Sequence, residues 1–146
     1  MTRSGPPALG TPTSDQVADF YDYLGPLLSM VWDENFHFGY WEGPDDQVSV
    51  AQPTDRLTDV LVEELDARPH HRVLDLGCGA GKPAFRLART TGATVVGISI
   101  NCAQVAEANA RAAEEGLQDQ LIFQWSTRWT YRSRTRRSTG CSRSNR

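Results

Sequence analysis

The sequence predicts an α/β chain: the first half of a doubly wound parallel sheet, preceded by helices. Three observations carry that reading. RVLDLG, ATVVGIS and LIFQ are short apolar segments of strand length, the second β-branched. Helix-forming segments, PAFRLART and CAQVAEANARAAEE, separate them. A glycine-rich turn, CGAGKP, sits where the first strand runs out. Strands joined by right-handed crossovers are parallel neighbours, which puts that turn at the carboxyl edge of the sheet.

The elements follow in order. Residues 1–13 are rich in Pro, Gly and Thr and are expected to be disordered. Residues 14–69 read as a helical lid or cap segment. Ser14 and Asp15 are placed to cap a first helix, SDQVADFYDYLGPLLSMVW, with Phe20, Leu24, Leu27 and Leu28 at helical spacing. Gly25-Pro26 is expected to break or kink it. NFHFGYWEGPDD reads as an aromatic-dense loop closed by turn residues. After Pro53, Thr54 is placed to cap a second helix with Leu57, Val60, Leu61 and Leu65 on one face. Arg68-Pro69 ends it. Residues 70–124 hold the βαβαβ unit. Pro83 suits the first turn of its first helix, while Asn101 caps the second and Gly116 stops it.

A length of 146 residues fits one domain of modest size. The net charge of −3 conceals two unlike parts. Residues 1–124 hold 8 basic and 18 acidic side chains; residues 125–146 hold 7 arginines and no acid. The acidic body argues against a nucleic-acid partner, whereas a genuine arginine-rich arm would favour nucleic acid or anionic lipid. Cys78, Cys102 and Cys141 show no paired or metal-ligand spacing and fit free thiols in a reducing compartment, with no metal site. MTRSGPPALGTPTSD lacks the apolar run of a secretory signal, and no stretch approaches membrane-spanning length. A soluble cytoplasmic protein is expected.

VLDLGCGAGKP is the stretch that carries chemistry. Gly77, Gly79 and Gly81 permit a tight turn and let a ligand approach bare backbone. The spacing is G-x-G-x-G, unlike the G-x-G-x-x-G of a dinucleotide site. Lys82 is followed by Pro83, which excludes a P-loop. Asp75 lies two residues before the first glycine, where a carboxylate can bind a cationic group. The alternative is a purely structural strand–helix turn.

DxGxGxG after a first strand resembles motif I of class I S-adenosylmethionine-dependent methyltransferases, whose fold is Rossmann-like. The likeness continues over about residues 15–124, through YDYLGPLLSMVWDENFHFGYWEG, VSVAQPTDRLTD and VVGISINCAQVAEANARAAEEGL. These stretches are similar to small-molecule methyltransferases of antibiotic biosynthesis, in the group that contains the demethylrebeccamycin sugar O-methyltransferase.

The resemblance implies S-adenosyl-L-methionine as cofactor and in-line methyl transfer to a small-molecule acceptor, a hydroxyl or another natural-product nucleophile. It implies that Asp75, Gly77, Gly79 and Gly81 hold the amino acid end of the cofactor, with Cys78 inside the same stretch. The second strand of such enzymes usually ends in an acid that grips both ribose hydroxyls; here that position is Ser99. Ser99, Asn101 and Gln104, with Ile100 in the same cofactor-binding stretch, would share the contact through neutral hydrogen bonds. Asn101 serves equally as a plain helix cap, and Gln104 as a solvated first-turn residue. Tyr21 is implied to cover the cofactor, and a sulfonium against aromatic faces is physically sensible. His37, Tyr40 and Trp41 are candidates for a substrate lid, with simple packing as the alternative for Phe36, Phe38 and Trp41. His37 has no legible orienting carboxylate. The base and most acceptor contacts are implied to follow the third strand, so no catalytic residue is assigned.

Relatives of this kind should continue after LIFQ with a loop resembling DAMDLPFPDxSFD and a fourth strand. WSTRWTYRSRTRRSTGCSRSNR has none of that composition. Read one base out of frame, however, residues 125–145 permit VVDAMDLPFPDASFDRVLAIE with no forbidden position, and Trp129-Thr130 forces an Asp. The expectation is therefore an out-of-frame tail on the N-terminal half of a methyltransferase, its C-terminal half missing and its turnover weak or absent. The alternatives are a noncatalytic S-adenosylmethionine-binding module and a basic-tailed nucleic-acid binder.

Overall fold

Three parallel strands form the sheet in the order β1 (Arg72–Leu76), β2 (Thr94–Ser99), β3 (Leu121–Trp125). The structure, a computed structural model, describes residues 10–32, 37–44, 46 and 48–126. Residues 1–9, Phe36 and the arginine-rich stretch 127–146 lie outside the described residues. In register, Asp75 stands opposite Gly97, and Gly97 opposite Phe123. Successive side chains of a strand alternate between faces. Val73, Val95 and Leu121 thus share one face, and Leu74, Val96 and Ile122 the other.

The first face is covered. Helix α3 (Lys82–Thr91) brings Ala84, Phe85, Leu87 and Ala88 onto it, and α4 (Cys102–Glu114) brings Val105, Ala108 and Ala112. Both helices connect consecutive parallel strands, and right-handed crossovers put both on one side. Phe85 is fully buried and stacks on Phe123, with ring centroids 5.7 Å apart. The second face is less covered at β1, where Leu74 and Leu76 are 51% and 49% exposed. The outer edge of β1 pairs with no strand among the described residues.

Helix α1 (Ser14–Trp32) has the range expected, but its cap differs from expectation and Pro26 does not break it. The cap is Thr13, not Ser14 or Asp15. The Thr13 amide donates to Gln16 Oε1 at 2.9 Å, and the Gln16 amide to Thr13 Oγ1 at 3.3 Å, the reciprocal pair of a capping box. The helix continues through Pro26 instead of ending there. Proline removes its own amide donor and crowds the carbonyl four residues back, while the turns on either side keep their hydrogen bonds.

Helix α2 (Ala51–Leu65) starts earlier than predicted, with Pro53 in its first turn. Thr54 is inside the helix and its hydroxyl donates back to the carbonyls of Val50 and Ala51. The face that packs inward is not the one predicted, lined by Leu57, Val60, Leu61 and Leu65. Pro53, Thr54, Thr58 and Val62 are buried, whereas Val60, Leu61 and Leu65 are exposed. Spacing identifies an apolar stripe but not which side the rest of the chain packs on. Helix α2 meets α3 through ion pairs: Arg86 forks onto Asp59, and Lys82 Nζ lies 3.1 Å from Asp55. Because both partners of the Arg86–Asp59 pair are well exposed, Asp59→Asn should cost only about 0.2–1 kcal/mol. Urea unfolding at low and high salt checks this: the difference should shrink with salt.

The cysteines also depart from three free thiols. Cys78 is free and buried, whereas Cys102 is disulfide-bonded.

Candidate functional site

The site begins where β1 ends. Gly77, Gly79 and Gly81 have φ values of +87°, +56° and +83°. Residues with a Cβ rarely adopt that region, so the turn requires glycines there. The amides of Gly77 and Cys78 donate to the Ile98 carbonyl at 2.8 and 3.1 Å, tying the turn to the end of β2. At Gly79 an added Cβ would find only Gln104 Oε1, 3.9 Å away. The backbone there stands open to approach, just before the N-terminus of α3, where amide groups favour anions. At Gly81 the constraint is the opposite: a Cβ would lie 2.6 Å from Phe123 Cζ.

Phe123 and Gly97 were not singled out by sequence reasoning. A Cβ on Gly97 would lie 2.5 Å from Phe123 Cδ1 and 2.9 Å from the Cys78 Cβ and Sγ. The Phe123 ring therefore fills the space that side chains at both 81 and 97 would take. It holds the glycine turn down on the core. Only the strand register shows this.

Asp75, at the last-but-one position of β1, has its Oδ2 buried with no hydrogen-bond partner among the described residues. Burial pushes its carboxyl above the ordinary value of 3.8, and His37 pulls it partly back. An ionised carboxylate held this way destabilises the fold. Stability tied to Asp75 is greatest below the ordinary carboxylate range and is lost as pH rises through the raised value. Asp75→Asn is thus expected to stabilise the ligand-free chain by about 1 kcal/mol at pH 7. Below about pH 4 the gain should vanish, which paired urea titrations at the two pH values would show.

Two neighbours of the turn have defined surroundings. Burial, then the Asp75 charge, pushes the Cys78 thiol up to about 12, so it is no nucleophile. Lys82, directly after the turn, faces Asp55.

The end of β2 is built from neutral groups. Ser99 and Asn101 are 6% and 3% exposed. Ser99 Oγ accepts the Asn101 amide at 3.1 Å, and Asn101 Oδ1 accepts the Gln104 amide at 3.0 Å as the cap of α4. The Asn101 side-chain amide donates to Asp22 Oδ1 of α1 at 2.6 Å. Sequence reasoning missed Asp22, since the two residues are 79 positions apart. The Ile100 carbonyl accepts Trp125 Nε1 at 3.0 Å. The cap reading of Asn101 is therefore what the geometry displays, with an added link to α1.

The structure thus brings together the glycine turn, Asp75, residues 99–104 from the end of β2 to the first turn of α4, and Asp22. Tyr21, beside Asp22 in α1, packs edge-on against Phe20 at 5.5 Å and is partly exposed. The aromatic loop is held by α2. His37 Nε2 lies 3.1 Å from Thr58 Oγ1, and the Tyr40 amide donates to the Pro53 carbonyl at 2.8 Å. Tyr40 and Trp41 remain about half exposed. Among the described residues no cluster of His, Cys, Asp and Glu could hold a metal ion, and no helix is long and apolar enough to cross a membrane.

Known proteins resemble this chain in sequence and fold. The chain is 44% identical over 110 residues to the methyltransferase GfsG of Streptomyces halstedii, covering 75% of this chain and 40% of that protein. It is 40% identical over 115 residues to the 27-O-demethylrifamycin SV methyltransferase of Amycolatopsis mediterranei, covering 79% of this chain and 42% of that one. Among solved structures, the 4+2 cyclase SpnF superposes with a TM-score of 0.72 at 40% identity, covering 81% of this chain and 44% of SpnF. The chain thus spans about two fifths of the length of the curated relatives it matches. The family model for mycolic acid cyclopropane synthetase matches residues 10–129. The chain belongs to that family, within the class I S-adenosylmethionine-dependent methyltransferases.

Proposed function

We propose that this chain is the cofactor-binding part of an S-adenosylmethionine-dependent methyltransferase acting in the cytoplasm on a small-molecule, hydroxyl-bearing natural product. The observation that carries this is the turn itself. Three glycines at positive φ leave open backbone at Gly79, next to a buried carboxylate oxygen with no partner among the described residues. Asp75 fits a cationic ligand group, and the ammonium of S-adenosylmethionine is one. Bound there, the cofactor supplies a methyl group on an already activated sulfonium. The chain's own residues do the positioning. Asp75 and the turn fix the amino acid end, Ser99, Ile100, Asn101 and Gln104 border the ribose end, and Tyr21, His37, Tyr40 and Trp41 line the entrance.

The same reading extends to the tail. We infer that residues 125–146 are out-of-frame, and that the restored frame would continue the sheet. The half-exposed Leu74 and Leu76 and the open outer edge of β1 support this, because a doubly wound sheet continues beside its first strand. One observation favours a second reading: SpnF, at 40% identity, is named a cyclase, so the scaffold also serves a reaction other than methyl transfer.

The test has two parts. The coding DNA from Phe123 to the stop is resequenced in all frames, and the restored chain is assayed with labelled S-adenosylmethionine and hydroxyl-bearing acceptors. Turnover by the restored chain but not by the 146-residue chain is expected. Robust turnover by the 146-residue chain would refute the incomplete-domain reading. Labelled-cofactor binding without any transfer by the restored chain would favour the second reading.

A further inference from the structure

The two edges of the sheet differ. On β1 the His71 carbonyl and the Gly77 amide bond to β2, so by alternation Arg72, Leu74 and Leu76 turn their backbone groups outward. Those groups meet no partner among the described residues. On β3 the Gln120 carbonyl and the Ser126 amide bond to β2, so Leu121, Phe123 and Trp125 turn theirs outward. The Leu121 amide is taken: it donates to the Leu117 carbonyl at 2.8 Å. Asn109 of α4 takes both groups of Phe123, at the centre of the strand. Its Oδ1 accepts the Phe123 amide at 3.2 Å, and its Nδ2 donates to the Phe123 carbonyl at 3.0 Å. Nδ2 also donates to the Val105 carbonyl at 2.9 Å. A neighbouring strand would offer Phe123 one carbonyl and one N–H, and a carboxamide offers the same pair. Asn109 is exposed and lies inside a helix, where asparagine is a poor former, so neither burial nor helix formation explains it.

We propose that Asn109 is a strand surrogate, which closes the β3 edge and leaves β1 as the edge of the described sheet that accepts a strand. For the purified chain the available strand is that of a second copy. A sheet with one open edge pairs with a second copy and stops, because the two open edges cover each other. A sheet with two open edges propagates. The alternative is a tie that only fastens α4 to the sheet.

Sedimentation velocity of the full chain over a concentration series, beside circular dichroism, separates the two. The unaltered chain should be no larger than a pair of copies at any concentration. Asn109→Ala should stay folded, because water reaches the freed Phe123 groups at the exposed edge, and should form species that grow beyond a pair as concentration rises. Asn109→Asp loses the same donor bonds, but its charge beside the strand opposes pairing, so it should not grow. Adding Leu74→Lys to Asn109→Ala charges the other edge and should return the chain to pairs at most. Growth in Asn109→Asp equal to that in Asn109→Ala would make lost stability the cause and overturn the proposal. So would open-ended growth of the unaltered chain, absence of growth in a folded Asn109→Ala chain, or growth that Leu74→Lys leaves unchanged. Amide exchange of the dilute unaltered chain decides even if Asn109→Ala unfolds. The Phe123 amide should exchange about tenfold or more slower than those of Leu74 and Leu76, the protection of one hydrogen bond. Equal rates overturn the proposal.

Discussion

Gly81→Val is expected to lower the stability of the chain by about 2–5 kcal/mol. Two costs add. At φ +83° a side chain with a Cβ carries strain of about 1–2 kcal/mol, and a β-branched one carries more. The new Cβ must also displace the Phe123 ring, whose Cζ lies 2.6 Å from its position. Phe123 cannot withdraw cheaply, since it is 5% exposed, stacked on Phe85 and pressed against Gly97. Overpacking of this kind costs about 1–3 kcal/mol. Urea unfolding reads the sum directly. A loss below about 1 kcal/mol would mean that Phe123 does not brace the turn.

Gly79→Arg is expected to do the reverse: to spare the fold and abolish the site. Nothing but Gln104 Oε1 lies within 4 Å of the added Cβ, so the cost to the fold is the backbone strain alone, about 1–2 kcal/mol. The long cationic side chain would fill the cradle and place a like charge beside the ammonium and sulfonium of the cofactor. Binding of S-adenosylhomocysteine should fall at least about a hundredfold, near 3 kcal/mol. Equilibrium dialysis beside a thermal melt separates the two effects. Retained binding in a folded Gly79→Arg chain would place the ligand elsewhere.

The sheet was legible because its signals are local. RVLDLG, ATVVGIS and LIFQ show their apolar runs over a few residues, and the glycine turn sits at the place where one strand must become a helix. Asn101 was legible as a cap for the same reason. Most of what was not legible depended on contacts distant in sequence. The buried face of α2 is chosen by its packing against α1 and α3, so Thr54, Thr58 and Val62 are buried while Leu61 and Leu65 are not. Thr13 outcompeted Ser14 as cap because Gln16 completes the reciprocal pair. Gly97 looks like a weakness inside a strand until the register sets Phe123 and Cys78 against it. Asp22 acquires meaning only when α1 lies beside Asn101. The site followed the same division. Its glycines and Asp75 were readable from spacing, while the unpartnered Oδ2 and the open approach at Gly79 needed three dimensions.

We propose that the glycine turn, Asp75 and residues 99–104 form an S-adenosylmethionine site within this chain. Isothermal calorimetry of the purified 146-residue chain with S-adenosylhomocysteine tests it most directly. Saturable binding at one ligand per chain, lost in Gly79→Arg, is the predicted result. No saturable heat from a chain that circular dichroism shows to be folded, or binding that survives Gly79→Arg, would contradict it.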